Sequence, residues 1–335
     1  MPDLRNDPVD HLLAFDPGAR GIETFFQAGG ARRAAEALQR ARRVVITTGF
    51  VVASGTAETD GPPGAAVLGR ALRQLGADVG YVTDDVTAPV LAATLAALGE
   101  PVDVTRYPAH ADAARAVLAR ARPTHLVAIE RPGRGRDGVY RNMRGDDVSA
   151  LNAPIDEIFL LARSAAMRSP GRTGERSTER TGVRSPGHLE QATRGTNRAR
   201  GPRYNKPRYN KSPDRVITIG VGDGGNEIGM GNVRARLAHG GALAKRIASI
   251  VRVDHLVVAG VSNWGAYGIA AHLGRLAGRP LLHTSDDERR LVTACVTAGA
   301  CDGVTRRREP TVDGLSLDVH AALVALLTVA TNART

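Results

Sequence analysis

The chain lacks the residue patterns that mark several large classes of protein. Its 335 residues include two cysteines, Cys295 and Cys301, which are too few for a disulfide framework, and no second Cys/His pair has zinc-ligand spacing. No run of 18 apolar residues and no basic-then-apolar leader before Asp16 is present. We therefore expect a cytoplasmic protein with buried thiols, without a membrane span or a secretory signal.

Net positive charge is scarce outside one segment of the chain. The formal charge is +11, but residues 167–213 hold 12 Lys and Arg against 3 Glu, which leaves 33 basic and 31 acidic residues elsewhere. The segment repeats Arg-Ser-Pro-Gly and Pro-Arg-Tyr-Asn-Lys and has almost no Leu, Ile, Val or Phe, so we interpret it as a disordered basic insertion. Its arginines with Tyr204 and Tyr209 could bind nucleic acid, but a solvated spacer is the favoured interpretation.

Strands alternate with helices on both sides of this insertion. Apolar residues make up 42% of the chain, which is typical of a globular protein. We expect an N-terminal tail (1–20), an α/β domain in two parts (21–166 and 214–332), and the insertion between them. Alternation of this kind predicts an open, mainly parallel Rossmann-like sheet with helices on both faces. The strands are expected near 44–49, 79–83, 102–105, 125–130, 216–221 and 256–259, and the first helical pattern runs over 21–42, with Gly29-Gly30 as a point of interruption.

Polar residues and glycines collect where the expected strands end. Because ligands of such sheets bind beyond the carboxyl ends of the strands, these residues are expected to meet at one edge. Any one polar loop is unremarkable as a turn, and the coincidence of all of them favours a site. The residues are Thr48, Gly49, Glu58 to Gly61, Asp84, Asp85, Glu130, Arg131, Gly222 to Glu227 and Gly260 to Trp264.

The most distinctive of these loops spans residues 216–232. A β-branched run leads into five glycines with Asp223, Asn226 and Glu227, which indicates a strand, a tight loop and a helix start. Gly220, Gly222 and Gly225 satisfy G-x-G-x-x-G, but no acid follows at the distance that a dinucleotide ribose requires, and carboxylates inside the loop would repel a pyrophosphate. A site for a different small ligand is favoured over a plain turn.

These motifs resemble the D-glutamate cyclase family. The similar regions run from about residue 40 to 166 and from about 215 to the C-terminus. Gly-Asp-Gly-Gly-Asn-Glu-Ile-Gly-Met-Gly-Asn (222–232) and Gly-Val-Ser-Asn-Trp-Gly (260–265) are the longest matches, and Glu-Arg-Pro-Gly (130–133) and Asn-Met-Arg-Gly (142–145) add to them. The insertion and the stretch from 234 to 253 depart from the family pattern.

The resemblance implies a hydro-lyase that converts D-glutamate to 5-oxo-D-proline with loss of water. Closing the lactam requires a neutral amine to attack the side-chain carboxyl, so the site must take a proton from an ammonium and give one to a departing oxygen. Two carboxyl groups in unlike environments can divide that work. A hydrolase or lyase of another small amino or hydroxy acid, and a non-catalytic ligand-binding protein, remain alternatives.

The expected roles follow from residue chemistry. Asp223 or Glu227 would act as the base, and Glu130 or Asp60 as the acid. Arg131 or Arg144 would bind a substrate carboxylate. The backbone N–H groups of Gly224 and Gly225, together with Asn226 and Asn263, would hold the oxyanion. Thr48, Gly49, Asn142, Gly222 and Ser262 complete the expected substrate site.

A divalent cation is a further expectation, without a contiguous motif to support it. Magnesium or manganese prefers oxygen ligands and would help a carboxylate lose oxygen. Asp60, Asp84, Asp85, Asp223 and Glu227 could supply such ligands. The expected partner is a small-molecule substrate, with no membrane or nucleic-acid partner, and a homo-oligomer is left open.

Overall fold

The computed structural model describes residues 7–52, 54–168 and 215–332. The basic segment that the sequence analysis interprets as a disordered insertion, 167–213, lies outside the described residues except for its first two. Within the described ranges, no helix is long and apolar enough to cross a membrane.

A six-stranded parallel sheet forms the centre of the protein, as predicted. The order of its strands is β3-β2-β1-β4-β5-β6, and every neighbouring pair is parallel. Val45 on β1, for example, lies opposite Gly80 on β2 and Leu126 on β4. The bounds of the strands are β1 Arg43–Thr48, β2 Asp78–Thr83, β3 Val104–Arg106, β4 His125–Ile129, β5 Ile217–Gly222 and β6 His255–Val258.

Eleven α-helices are found in the described residues. Parallel strands are almost always joined by right-handed connections. Because the chain reverses its direction across the sheet after β3, its helices cover both faces. The bounds of the helices are α1 Pro8–Leu13, α2 Gly30–Leu38, α3 Pro62–Gln74, α4 Ala88–Ala97, α5 Ala113–Ala121, α6 Asp156–Arg168, α7 Arg234–Leu237, α8 Ala242–Ile247, α9 Ser262–Ala277, α10 Ser285–Thr297 and α11 Leu317–Asn332.

The core is continuous across both faces of the sheet. Strand β4 is buried along its whole length, because helices cover it on both sides. Ile46, Leu126 and Ile219 are fully buried, and each such side chain stabilises the fold by about 1.5–3 kcal/mol. Helices α3 and α9 pack against each other near the centre of the sheet, so the loops that precede them lie close together.

The N-terminal region agrees with the sequence expectation in one respect and differs in another. The helical pattern over 21–42 is interrupted at Gly29-Gly30, as expected, because Gly29 has a positive φ of 70°; a single turn of 3-10 helix, Ile22–Thr24, precedes it and α2 follows it. Residues 7–20 are folded, whereas a tail was expected. Helix α1 buries Val9 and Leu13 against the core, which the sequence alone does not show because the helix has only six residues.

Candidate active site

Three predicted acids meet at the carboxyl edge of the sheet. Asp60 follows β1 after a loop, Glu130 follows β4 directly and Asp223 follows β5 directly. One carboxylate oxygen from each lies within 4.8 Å of the other two, and all three residues are buried. This edge includes the gap between β1 and β4 where the strand order changes direction, which is where ligands of open α/β sheets bind.

The side chain of Asp60, which precedes α3, caps the beginning of α9. Its carboxylate accepts hydrogen bonds from the backbone N–H groups of Ser262 at 2.9 Å and Asn263 at 2.8 Å. Burial, and then the nearby Asp313 carboxylate, raise the pKa of Asp60 to about 8 despite these hydrogen bonds. Asp60 is therefore able to hold a proton at neutral pH.

Glu130 has a backbone conformation that is rare for a residue with a side chain. Its φ is 42°, in the left-handed region, and it is 6% exposed. Such conformations cost free energy and collect at functional sites. Its Oε2 accepts a hydrogen bond from the Ser262 hydroxyl at 2.5 Å. Burial, followed by the nearby charges of Glu227 and Asp60, raises the pKa of Glu130 well above its usual range.

Asp223 is paired with Arg20, a residue that the sequence analysis placed in the tail. The Arg20 guanidinium donates hydrogen bonds to Asp223 and, at 3.0 Å, to Asp313. Burial raises the pKa of Asp223 well above its usual range, and Arg20 opposes this rise. No other Lys or Arg of the described ranges forms an ion pair with these acids.

Glu58 and Asp313 extend the acid cluster to five carboxyl groups. Glu58 lies in the loop between β1 and α3, and burial, followed by Asp313 and Asp60, raises its pKa well above the usual range. Asp313 belongs to the loop between α10 and α11. Asp302 organises that loop, since its carboxylate accepts hydrogen bonds from the backbone of Val304 and Gly314 at 2.8 and 2.7 Å.

The side chain of Glu227 folds back and binds the backbone of its own loop. Its carboxylate accepts backbone hydrogen bonds from Asp223 at 3.1 Å, Gly224 at 2.7 Å and Gly225 at 2.8 Å. The N–H groups expected to hold an oxyanion are thus already bound to this side chain. The helix start expected after the loop is only a turn of 3-10 helix, Met230–Asn232.

A cavity of about 250 Å³ opens beside the acid cluster. It is smaller than pockets for drug-sized ligands, which span about 300–1,000 Å³, so its size suits a small metabolite. At its rim, the guanidinium groups of Arg144 and Arg306 have no hydrogen-bond partner among the described side chains and are free to bind an anion. The cavity is lined by Arg20, Phe50, Val52, Glu58, Glu130, Asn142, Met143, Arg144, Asp223, Asn226, Glu227, Gly303, Val304, Arg306 and Asp313.

The remaining residues of the predicted site do not line the cavity. Arg131 is fully buried, and it binds Asp84, the Gly49 carbonyl at 2.9 Å and the Ala153 carbonyl at 2.7 Å, so its guanidinium holds loops together away from the cavity. Asn263 faces the start of α3. The other predicted residues that do not line the cavity are Thr48, Gly49, Asp60, Gly222, Gly224, Gly225 and Ser262.

Of the five carboxyl groups expected to bind a cation, two belong to the acid cluster. Asp60, Asp223 and also Glu130, which was not expected as a ligand, could hold a metal ion, because one oxygen of each lies within 4.8 Å of the other two. Asp84 is paired with Arg131, and Asp85 is exposed beside Arg106, so neither belongs to the cluster. The backbone hydrogen bonds of Glu227 likewise occupy its oxygens.

Arg20, Arg306 and Asp313 were not predicted as site residues, and Glu58 was predicted only as a member of the strand-end group, without a role. None of them stands in a motif. A backbone signal links three lining residues, because Glu130, Arg306 and Asp313 all have positive φ. That signal requires coordinates, whereas the lining residues found in advance stand at strand ends or in the motifs that resemble the family.

The sequence of the chain is similar to that of known proteins. A family model described as D-glutamate cyclase-like, C-terminal, matches residues 9–175 and 207–328. The human D-glutamate cyclase, mitochondrial, is 32% identical over 285 residues, which cover 79% of this chain and 38% of the human protein. The chain thus spans well under half the length of that relative.

One solved structure was also compared with the fold. An exopolyphosphatase-related protein from Bacteroides fragilis has a TM-score of 0.40 and 7% identity, and the match covers 91% of this chain and 58% of that protein. A likeness at this level carries no functional argument. On the strength of the family model and the human relative, the chain belongs to the D-glutamate cyclase-like family.

Proposed function

We propose that this protein is a hydro-lyase that dehydrates D-glutamate to 5-oxo-D-proline. The observation that carries the proposal is a small cavity with a floor of clustered carboxyl groups and with two guanidinium groups at its rim that have no partner among the described side chains. The acids suit a substrate ammonium and its proton transfers, and the arginines suit a substrate carboxylate. Family membership supports this choice of substrate.

The reaction balances without a further reactant. The substrate nitrogen begins as an ammonium and ends as a lactam N–H, so it loses two protons. The departing carboxylate oxygen gains two protons and leaves as water. An ionised base and a protonated acid can transfer these protons in turn and finish in their starting states, which two carboxyl groups of unlike environment provide.

Asp223 is the base in this proposal. It is one of the two cluster acids that are paired with a cation, and it borders the cavity. Glu130, which borders the cavity, has no cationic partner among the described side chains and has a raised pKa, supplies the proton to the leaving oxygen. Glu227 is assigned a structural role, because three backbone N–H groups bind its oxygens.

Binding energy comes from the rim. Arg144 or Arg306 binds the α-carboxylate, so that the ammonium points toward Asp223 and the side chain folds back toward the amine. Holding the two reacting groups together in this way can contribute about 7–11 kcal/mol in well-oriented systems.

The direct test is turnover by the purified protein. D-glutamate, L-glutamate and D-aspartate are incubated separately, and mass spectrometry follows the loss of one water. We expect conversion of D-glutamate at the highest kcat/KM. If D-glutamate is unchanged while another diacid loses water, the enzyme acts on that substrate, and if none reacts, the hydro-lyase proposal fails.

A magnesium or manganese ion is a second candidate component, supported by the three carboxylate oxygens that lie within 4.8 Å of one another. When bound there, it would polarise the carboxylate that loses oxygen. Dialysis against a chelator followed by addition of each metal tests this. Turnover that falls on dialysis and returns with one metal would support a cation.

A further inference from the structure

The N-terminal segment, residues 7–20, is docked beside the acid cluster. Helix α1 packs against α9 and α11, with Val9 and Leu13 fully buried. The backbone N–H of Gly260, in the loop after β6, donates a hydrogen bond to the Leu13 carbonyl at 2.9 Å. The segment therefore contacts the same strand end that contributes Ser262 to the site.

This contact requires a close approach of two backbones. A Cβ on Gly260 would lie 1.9 Å from the Phe15 carbonyl oxygen, so a side chain at position 260 would displace the segment. The Phe15 ring stacks on Trp264 with a centroid distance of 6.1 Å and an interplanar angle of 4°. Gly260 and Trp264 belong to one of the family-like motifs, and both are in contact with the N-terminal segment.

A turn around Asp16 sets the position of Arg20. The Asp16 carboxylate accepts backbone hydrogen bonds from Arg20 at 3.0 Å, Gly21 at 2.7 Å and Ile22 at 3.2 Å. Ala19 has a positive φ of 49°, which turns the chain sharply just before Arg20. The guanidinium is directed from this turn into the acid cluster.

Arg20 binds three groups there. Its Nη1 donates hydrogen bonds to Asp223 Oδ2, to Asp313 Oδ2 at 3.0 Å and to the Gly260 carbonyl at 3.3 Å. Its side chain is 14% exposed. With Oδ2 of Asp223 occupied by the guanidinium, Oδ1 has no hydrogen-bond partner within the described part of the chain and is free to meet a ligand in the cavity.

We propose that the N-terminal segment is part of the active site and that Arg20 is a positioning residue, which orients the Asp223 carboxylate toward the substrate amine. This inference rests on the proposed function for its kinetic consequence. Its structural content, a guanidinium held between Asp223 and Asp313, is independent of which substrate the cavity binds.

The test is chemical rescue of Arg20→Ala. Truncation leaves a space between two carboxylates that a free guanidinium ion can enter. We expect kcat to fall about 100-fold, the loss that a misplaced catalytic group can cause, while KM changes much less because Arg144 and Arg306 remain. Methylguanidinium added at millimolar concentration restores part of kcat. A variant with wild-type kcat, or one whose lost activity methylguanidinium leaves unchanged, would overturn the proposal.

Arg73→Ala is the matched control. Arg73 is similarly buried, at 19% exposed, and pairs with Glu100 at 3.1 Å away from the cavity. Its removal should lower stability without a rescuable loss of turnover. If Arg20→Ala does not fold, Arg20→Lys retains the charge but cannot reach both carboxylates with one planar group. Reduced kcat at an unchanged Tm then supports the proposal, and full kcat contradicts it.

A calorimetric titration separates this inference from the proposed function. Methylguanidinium should bind Arg20→Ala, and should not bind the wild type or Arg73→Ala. Such binding in a protein whose wild type turns over no diacid would refute the hydro-lyase function and leave the placement of Arg20 supported. Turnover of a diacid by the wild type, without binding of methylguanidinium to Arg20→Ala, would support the hydro-lyase function and refute the placement of Arg20.

Discussion

Asp60 and Asn263 cap the beginnings of α9 and α3 and hold the two loops together beside the cavity. The Asp60 carboxylate accepts backbone hydrogen bonds at the start of α9, including that of Asn263 itself at 2.8 Å. In return, Asn263 Oδ1 accepts the backbone N–H groups of Gly61 at 3.0 Å and Gly64 at 2.8 Å at the start of α3. Asn263 is fully buried, and its side chain links the beginnings of two helices, whereas an oxyanion-binding role was expected.

Replacing Asn263 with Ala should destabilise the protein by about 1–3 kcal/mol, because buried N–H groups at the start of α3 lose their acceptor. Urea unfolding measures this. Thr284→Ala, which removes the more exposed cap of α10, is the matched control and should cost about 1 kcal/mol. If the free energy of unfolding of Asn263→Ala differs from the wild-type value by less than about 0.5 kcal/mol, as for surface substitutions, the linking role of Asn263 is refuted.

The amide variants of Asp223 and Glu227 should behave differently from one another. Asp223→Asn should lose lactam formation and keep its fold, because removing one of several crowded carboxylates relieves repulsion. Glu227→Gln places an NH₂ group against backbone donors and should lower the free energy of unfolding by about 1–3 kcal/mol. Turnover and urea unfolding of both variants check this. A Glu227→Gln protein with wild-type stability and no activity would return Glu227 to the chemistry.

Asp60 and Glu130 should each contribute stability that is lost as the pH rises from about 4 to about 8. Burial raises the pKa of Asp60 to about 8 and the pKa of Glu130 well above its usual range, so these two groups bind more protons in the native protein than in the unfolded chain in that window. Their contribution to the unfolding free energy then decreases with increasing pH. We expect the Tm of Glu130→Gln, measured in the presence of a chelator, to fall less or rise more over this window than the Tm of the unsubstituted protein. Identical slopes in the two proteins would contradict the raised pKa of Glu130.

Arg144→Met should raise KM with little effect on kcat. A hydrogen bond to a charged group contributes about 1.5–3 kcal/mol, which corresponds to roughly 10- to 100-fold in KM if the interaction is equal in the ground and transition states. Steady-state kinetics measure the effect, and Arg306→Met shows which of the two guanidinium groups dominates. The exposed Arg246 on α8 provides the control substitution. Unchanged KM in both rim variants would place the carboxylate site elsewhere.

The sequence predicted most of the fold because local pattern and burial agree. Strands such as β1 and β4 are continuous apolar and β-branched runs, which only a sheet covered on both faces buries completely. At 21–42 the apolar residues keep a helical spacing, and the glycine pair indicated the interruption, since Gly29 has a positive φ and separates two elements. The pattern failed at α1, which is too short for periodicity to identify.

The sequence by itself determined that Asp60, Glu130 and Asp223 would lie at one edge, because parallel strands deliver their ends to the same side. It could not assign the roles of base and acid among these three residues. Only the tertiary structure decided that Glu227 binds its own loop, that Arg131 forms an ion pair with Asp84, and that Arg20 reaches Asp223. The physical reason is distance along the chain: Arg20 and Asp223 are 203 residues apart, and a contact between such residues is created by packing, which local pattern does not encode.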